Sequence, residues 1–76
     1  MEISEETFIS NLGTHLRQLR ELKNISQQDL ANDCGISKSQ IARIEVAKIN
    51  TTVRTLIKIA NALDIEPKDL LDFPLK

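Results

Sequence analysis

The sequence predicts an all-α fold, a compact bundle of five short helices. Apolar residues recur at intervals of three and four along the 76 residues, and no stretch of four or more alternates between apolar and polar. The chain has two phenylalanines, no tyrosine and no tryptophan, which also disfavours strands. A chain this short builds one core that buries roughly 60% of the unfolded chain's surface, so a partner subunit would help to stabilise it.

The first helix is predicted from about Thr7 to Lys23. Asn24 suits the left-handed residue that ends a helix. Gly13 costs about 1 kcal/mol relative to alanine inside a helix, so its position predicts a close packing contact. The apolar stripe of this helix consists of Phe8, Leu12, Leu16, Leu19 and Leu22.

Serine and glycine residues delimit the second and third helices. Ser26 is the predicted N-cap of a helix over residues 27–33, and Gly35 then breaks the chain. Ser37 caps a third helix, and Gln40 three residues later predicts a capping box. The residues of these two helices predicted to face the core are Leu30, Ala31, Ile41 and Ile44.

A polar loop over residues 48–52 leads to a fourth helix, predicted from about Val53 to Leu63. Asp64 suits a left-handed exit, and Pro67 suits the first position of a fifth helix. The fifth helix carries Leu70 and Leu71, and the fourth presents to the core Val53, Leu56, Ile59, Ala60 and Leu63.

Charge is unevenly distributed along the chain. Residues 1–14 carry a net charge of −3, and residues 59–76 carry −2. Residues 15–58, with eight Lys and Arg against four Asp and Glu, carry +4. A basic middle between acidic ends favours a surface that binds nucleic acid, although the whole chain has a net charge of −1. The charge distribution alone is also compatible with an ordinary protein surface that carries mixed, solvated charges.

The single cysteine and single histidine disfavour a catalytic or metal site. As the single cysteine, Cys34 cannot form an internal disulfide. Cys34 and His15 together supply too few ligands for a zinc site. We expect Cys34 to be a buried small hydrophobe and His15 to lie at the edge of a helix face. No enzymatic activity, metal, cofactor or small-molecule ligand is expected. The chain has no apolar run of membrane-spanning length and no signal peptide, so a cytoplasmic protein is expected.

About four residues around Gly35 separate the second and third helices, which is the spacing of a helix-turn-helix. The isoleucines of the third helix anchor it from beneath and leave a polar face outward. The residues expected on that face, where they would contact bases in the major groove, are Lys38, Ser39, Gln40 and Arg43.

Several linked motifs carry a family resemblance. They are Leu16-x2-Leu19-Arg20, Gln27-x3-Ala31-x3-Gly35-x5-Ile41, Ile41-Ala-Arg-Ile-Glu45, Thr55-Leu-Ile-Lys-Ile-Ala-Asn-Ala-Leu63 and Leu70-Leu71. Together they resemble the phage repressor and Cro superfamily, often called the Xre family. The resemblance implies a lambda-repressor-like helix-turn-helix DNA-binding domain over residues 8–73, between an acidic segment 1–7 and a tail 74–76. It also implies operator binding and a two-fold dimer.

The resemblance assigns roles to single residues. It places base contacts on Lys38, Ser39 and Arg43, with Gln40 nearby, and an ion pair on Arg20 and Glu45. The phosphate-contacting residues that it implies are Ser26, Gln27, Lys48, Asn50 and Thr51.

The loop after the third helix departs from the family's pattern. Val46 and Ala47 stand where a basic or polar residue and then glycine are usual. Ile49 replaces a common basic residue, and Thr51 stands where proline is frequent. These departures are expected to weaken the phosphate contacts of the loop more than they affect the fold.

The leading hypothesis is a repressor that binds double-stranded DNA as a homodimer at a pseudo-palindromic operator. Leu71, Phe73 and Leu75 alternate at the C-terminal end and are the predicted dimer contact, unless this end folds back over the core as a lid. The alternative function is a protein-interaction module, such as an antitoxin or an assembly partner, for which exposed Val46 and Ile49 would be the sign.

Overall fold

Four α-helices and one 3₁₀ helix follow one another in the computed structural model, which describes residues 2–75. They are α1 (Glu5–Leu22), α2 (Gln27–Cys34), α3 (Lys38–Glu45), α4 (Val53–Leu63) and the 3₁₀ helix (Pro67–Leu71). No strand occurs within that range, so the all-α prediction is confirmed. Met1 and Lys76, the ends of the predicted segments 1–7 and 74–76, lie outside the described residues.

Each α-helix begins after a hydroxyl side chain that accepts a hydrogen bond from the backbone N–H three residues later. The caps are Ser4, Ser26, Ser37 and Thr52, with N···O distances of 3.0, 3.0, 3.1 and 3.2 Å. Because Ser4 caps α1, this helix starts two residues before the predicted Thr7. At Ser37 only the forward bond of the predicted capping box forms among the described residues, since the Gln40 side chain makes no return bond.

Left-handed residues separate the helices where the sequence predicts them. Asn24 has a φ of 57°, Gly35 of 70° and Asp64 of 56°. Ala47, in the loop after α3, has a φ of 60°. Its Cβ disfavours this conformation by roughly 1–2 kcal/mol, so the replacement of the family's usual glycine leaves local strain in that loop.

One core joins all five elements. Fully buried side chains come from each of them: Leu16, Leu30, Ile41, Ile44, Ile59, Leu63 and Leu70. Gly13 lets α1 approach the C-terminal end of α3, since a Cβ there would lie 2.4 Å from the Ile44 carbonyl oxygen. The close contact predicted at Gly13 is therefore confirmed.

Two residues predicted to face the core are exposed instead. Leu22 is 79% exposed and Val53 is 72% exposed. Each lies two residues from a buried position of its own helix, Arg20 or Thr55. Two residues correspond to about 200° of rotation at 3.6 residues per turn, so both side chains point to the opposite face.

The prediction of a fifth α-helix is wrong, because Pro67–Leu71 form a 3₁₀ helix. The Asp69 N–H bonds to the Glu66 carbonyl oxygen at 2.9 Å, the three-residue spacing of this tighter helix. Pro67 opens it and Pro74 follows closely, leaving too little chain for α-helical bonding. Leu70 is buried, whereas Leu71 is about half exposed.

Candidate nucleic-acid interface

A three-residue turn connects α2 to α3. Gly35 takes the left-handed conformation that ends α2, and the Ile36 N–H bonds to the Ala31 carbonyl oxygen at 3.0 Å. Ala31 is completely buried where the two helices meet. The small side chain and the left-handed turn together fix the crossing of α2 and α3.

The outward face of α3 carries hydrogen-bonding side chains. Lys38, Ser39 and Arg43 are exposed, and Gln40 is partly buried. Ser39 and Arg43 are four residues apart and share one face of the helix. Ser39 and Arg43 therefore share one accessible surface, with partly buried Gln40 at its edge, whereas Lys38 is exposed at the first residue of α3 on a different side of the helix.

An ion pair joins α1 to the last residue of α3. The Arg20 guanidinium donates from Nε to Glu45 Oε2 at 2.7 Å and from Nη2 to Glu45 Oε1 at 3.1 Å. Its Nη1 donates to the Ile25 carbonyl oxygen at 2.9 Å. The side chains are 11% and 1% exposed. The hydrogen bonds to Glu45 raise the pKa of Arg20 despite the opposing effect of burial.

Gln27, the first residue of α2, makes a contact that the sequence did not suggest. Its Nε2 donates to Glu45 Oε1 at 3.0 Å. The family resemblance implied a phosphate contact for Gln27, with a plain polar first-turn residue as the alternative, and no local motif signals the bond to Glu45 because the partners are 18 residues apart. Ser26, beside it, uses its hydroxyl oxygen to cap α2.

The three loop residues predicted to contact phosphate have different environments. Lys48 is exposed. Asn50 donates from Nδ2 to Glu5 Oε1 of α1 at 3.4 Å. The Thr51 hydroxyl oxygen is buried without a hydrogen-bond partner among the described residues. Of these three, Lys48 alone has an exposed side chain with no hydrogen-bond partner within residues 2–75, and the Thr51 hydroxyl is shielded from solvent.

The C-terminal residues predicted as a dimer contact do not share one environment. The Phe73 ring packs against Phe8 and His15, with ring centroids 5.3 and 5.5 Å apart. Leu71 and Leu75 remain about half exposed. Phe73 thus packs against Phe8 and His15 of its own chain, while Leu71 and Leu75 stay exposed.

The single histidine and the single cysteine make contacts within the fold. His15 donates from Nε2 to the Asp69 carbonyl oxygen at 2.7 Å, tying α1 to the 3₁₀ helix. Cys34 is buried as expected, and this burial raises the pKa of its thiol. Over residues 2–75, no group of three or more potential ligand side chains could hold a metal ion. No helix in that range has the length and apolar character needed to cross a membrane.

The geometry of α2, the turn and the exposed α3 defines a helix-turn-helix domain. A family model described as helix-turn-helix matches residues 16–70. The chain belongs to this helix-turn-helix family.

Known proteins similar to the chain include control proteins of nearly the same extent. Control protein C.BamHI of Bacillus amyloliquefaciens is 42% identical over 62 residues, which are 80% of this chain and 76% of that protein. The restriction-modification controller protein C.AhdI from Aeromonas hydrophila has a crystal structure with a TM-score of 0.80. It is 37% identical, and the match covers 82% of this chain and 94% of that chain.

A similar structure has also been solved with DNA bound. The master regulator for biofilm formation SinR, in complex with DNA, matches with a TM-score of 0.75 and 32% identity. That match covers 80% of this chain and 98% of the SinR chain.

Proposed function

We propose that the protein is a sequence-specific transcriptional regulator that places α3 in the major groove of double-stranded DNA. The observation that carries the proposal is the exposed polar face of α3, backed by buried Ile41 and Ile44. A helix with one apolar anchored side and one polar side can enter the groove without losing its packing. Membership of the helix-turn-helix family supports the same function.

Base recognition falls to the residues of that face. Arg43 has the planar fork that pairs with O6 and N7 of guanine, and Lys38 can reach the same atoms. Gln40 can pair with N6 and N7 of adenine, and the Ser39 hydroxyl can bond to either type of base. These four residues would set the sequence preference.

Phosphate contacts would fix α3 in the groove. The backbone N–H groups at the start of α2, beside Ser26 and Gln27, point out of a helix whose N-terminus carries partial positive charge. Lys48, Asn50 and Thr51 would contact the backbone from the loop after α3, with Lys48 supplying the charge.

A dimer is the simplest way to gain enough sequence information. One α3 reaches only a few base pairs, whereas two copies about 34 Å apart would occupy successive major grooves of a pseudo-palindromic operator. Where such an operator overlaps a promoter, its occupation would block transcription, which is the repressor role that we propose. The exposed Leu71 and Leu75 would form the contact, with Phe73 beneath them.

The relatives suggest which genes are regulated. C.BamHI is named a control protein, and C.AhdI is named a restriction-modification controller protein. We assign this protein, by analogy, to the control of a restriction-modification operon. Selection of bound duplexes from a random pool, followed by sequencing, tests the whole proposal. A symmetric consensus that recurs upstream of a neighbouring endonuclease gene is expected, and recovery of unenriched sequences would contradict DNA recognition.

A protein-interaction module remains the second candidate because Val46, directly after α3, is 61% exposed. An apolar side chain at the end of the recognition helix suits a protein partner better than a phosphate. Ile49 is the other residue whose exposure would indicate a protein-interaction module, but it packs against the core. Val46→Ser separates the two functions: DNA affinity should stay unchanged if α3 acts on DNA, whereas a protein-interaction module should lose affinity for its protein partner.

A further inference from the structure

We propose that Gln27 is a positioning residue that sets the sequence specificity of α3 by holding Glu45. The inference rests on the proposed DNA-binding function and deepens it. It assigns to the Gln27 side chain a role within the protein, in place of a phosphate contact alone.

Glu45 is the junction of three polar side chains. Its Oε2 accepts from Arg20, while its Oε1 accepts from both Arg20 and Gln27, at 3.1 and 3.0 Å. The carboxylate is 1% exposed, so water has almost no access to replace a lost partner. The position of Glu45, and with it the end of α3, therefore depends on both donors.

The Gln27 bond connects opposite ends of the helix-turn-helix. Gln27 is the first residue of α2 and Glu45 is the last residue of α3. The apolar contacts between the two helices determine which faces meet, but each contact is non-directional and constrains a small rotation or slide less sharply than a buried hydrogen bond does. A hydrogen bond has a narrow range of length and angle, and it fixes the remaining freedom.

The same amide can link this junction to DNA. A glutamine side-chain amide carries two hydrogens, and the bond to Glu45 uses one of them. Gln27 is only partly buried, so the second hydrogen can donate to a phosphate at the N-terminus of α2. Phosphate binding at α2 would then hold α3 at the angle that its base contacts require.

A matched pair of substitutions tests the role. Gln27→Met keeps the length and the helix propensity of the side chain but removes both donors. Gln28→Met makes the same change one residue along, at an exposed glutamine that bonds to Asn32 in its own helix. Binding is measured on the selected operator and on a random duplex at one salt concentration, after a urea titration shows that each variant is folded.

The ratio of operator affinity to random-duplex affinity is the readout. We expect Gln27→Met to lower this ratio by about tenfold, as for loss of one hydrogen bond to a charged group, and Gln28→Met to leave it unchanged. Equal losses on both duplexes would make Gln27 a phosphate contact only and overturn the proposal. No loss on either duplex would also overturn it.

A more conservative substitution is available in case Gln27→Met does not fold. If Gln27→Met is unfolded, Gln27→Asn replaces it, because a side chain one methylene shorter keeps the donor but cannot span to Glu45. The same tenfold fall in the ratio is expected, and an unchanged ratio contradicts the proposal. If the unmodified protein prefers no sequence at all, the proposed function itself fails, an outcome distinct from a failure of Gln27 alone.

Discussion

Arg20 Nε and Glu45 Oε2 lie 2.7 Å apart and join α1 to the end of the recognition helix, α3. Because Glu45 is buried, removal of Arg20 would leave a carboxylate without its counter-charge. We expect Arg20→Met to lower the free energy of unfolding by ~3–5 kcal/mol, measured by urea denaturation at neutral pH. A loss of this size approaches the whole stability of a small domain.

Two further variants separate the ion pair from general effects of the substitution. Arg17→Met removes an arginine whose contact with Glu21, at 3.6 Å, is more than half exposed, and should change stability by less than ~1 kcal/mol. Arg20→Met combined with Glu45→Leu removes both charges and should recover much of the loss. A double variant as unstable as Arg20→Met would show that the isolated carboxylate is not the cause.

For Gly13→Ala, close packing predicts a loss of stability, whereas helix propensity alone predicts a gain. Alanine inside a helix is normally favoured over glycine by about 1 kcal/mol. Here the added Cβ would lie 2.4 Å from the Ile44 oxygen and 2.7 Å from the Glu45 oxygen, both backbone atoms. Gly13→Ala should therefore destabilise the fold by ~1–3 kcal/mol in urea denaturation. Thr14→Ala, at the exposed next position, is the control, and a stabilised Gly13→Ala would refute the close approach.

Local signals predicted the helix limits well. Ser26 caps α2 and Asn24 is left-handed, because capping and glycine-like conformations depend on a few adjacent residues. The inward face of α3 was also predictable, since Ile41 and Ile44 fix its orientation and leave Arg43 outside.

The errors concern properties that neighbouring residues do not determine. Leu22 continues the apolar spacing of α1, but the core lies on the side of Arg20, whose charge is matched by a residue 25 positions away. The bond from Gln27 to Glu45 depends on how α2 and α3 pack together, and the spacing of residues in the sequence does not indicate that packing. The last element became a 3₁₀ helix because two prolines limit its length.

Base recognition by Arg43 predicts a loss restricted to one position of the operator. We expect Arg43→Ala to weaken binding to the selected operator by ~1–3 kcal/mol and to relax the preference at one base pair. Arg17→Ala, on α1, removes the same charge away from α3 and should not alter the preference. Fluorescence anisotropy on operators with single base changes would measure both effects. Equal weakening on operator and random DNA would make Arg43 a phosphate contact.

Salt dependence reports the phosphate contacts. Lys38, Arg43 and Lys48 are exposed on α3 or its following loop and would displace counterions from DNA. A dimer making ~6–10 phosphate contacts should lose ~10³–10⁵ in affinity between 50 and 200 mM salt. Titrations at several salt concentrations give the slope. A flat response would instead favour the protein-interaction module.

Leu71 and Leu75 provide the test of the dimer, because both are half exposed while Phe73 packs on its own chain. Truncation of the tail would also strip Phe73 from Phe8, so point substitutions give a cleaner answer. Leu71→Ser with Leu75→Ser should weaken binding to a full palindrome by more than about tenfold and leave half-site binding unchanged, since only the palindrome uses two linked copies. Leu22→Ser, at an exposed leucine of α1, should alter neither. Equal losses on the palindrome and the half-site would place the dimer contact elsewhere. If the unmodified chain binds the palindrome no more tightly than the half-site, the protein does not bind DNA as a cooperative dimer.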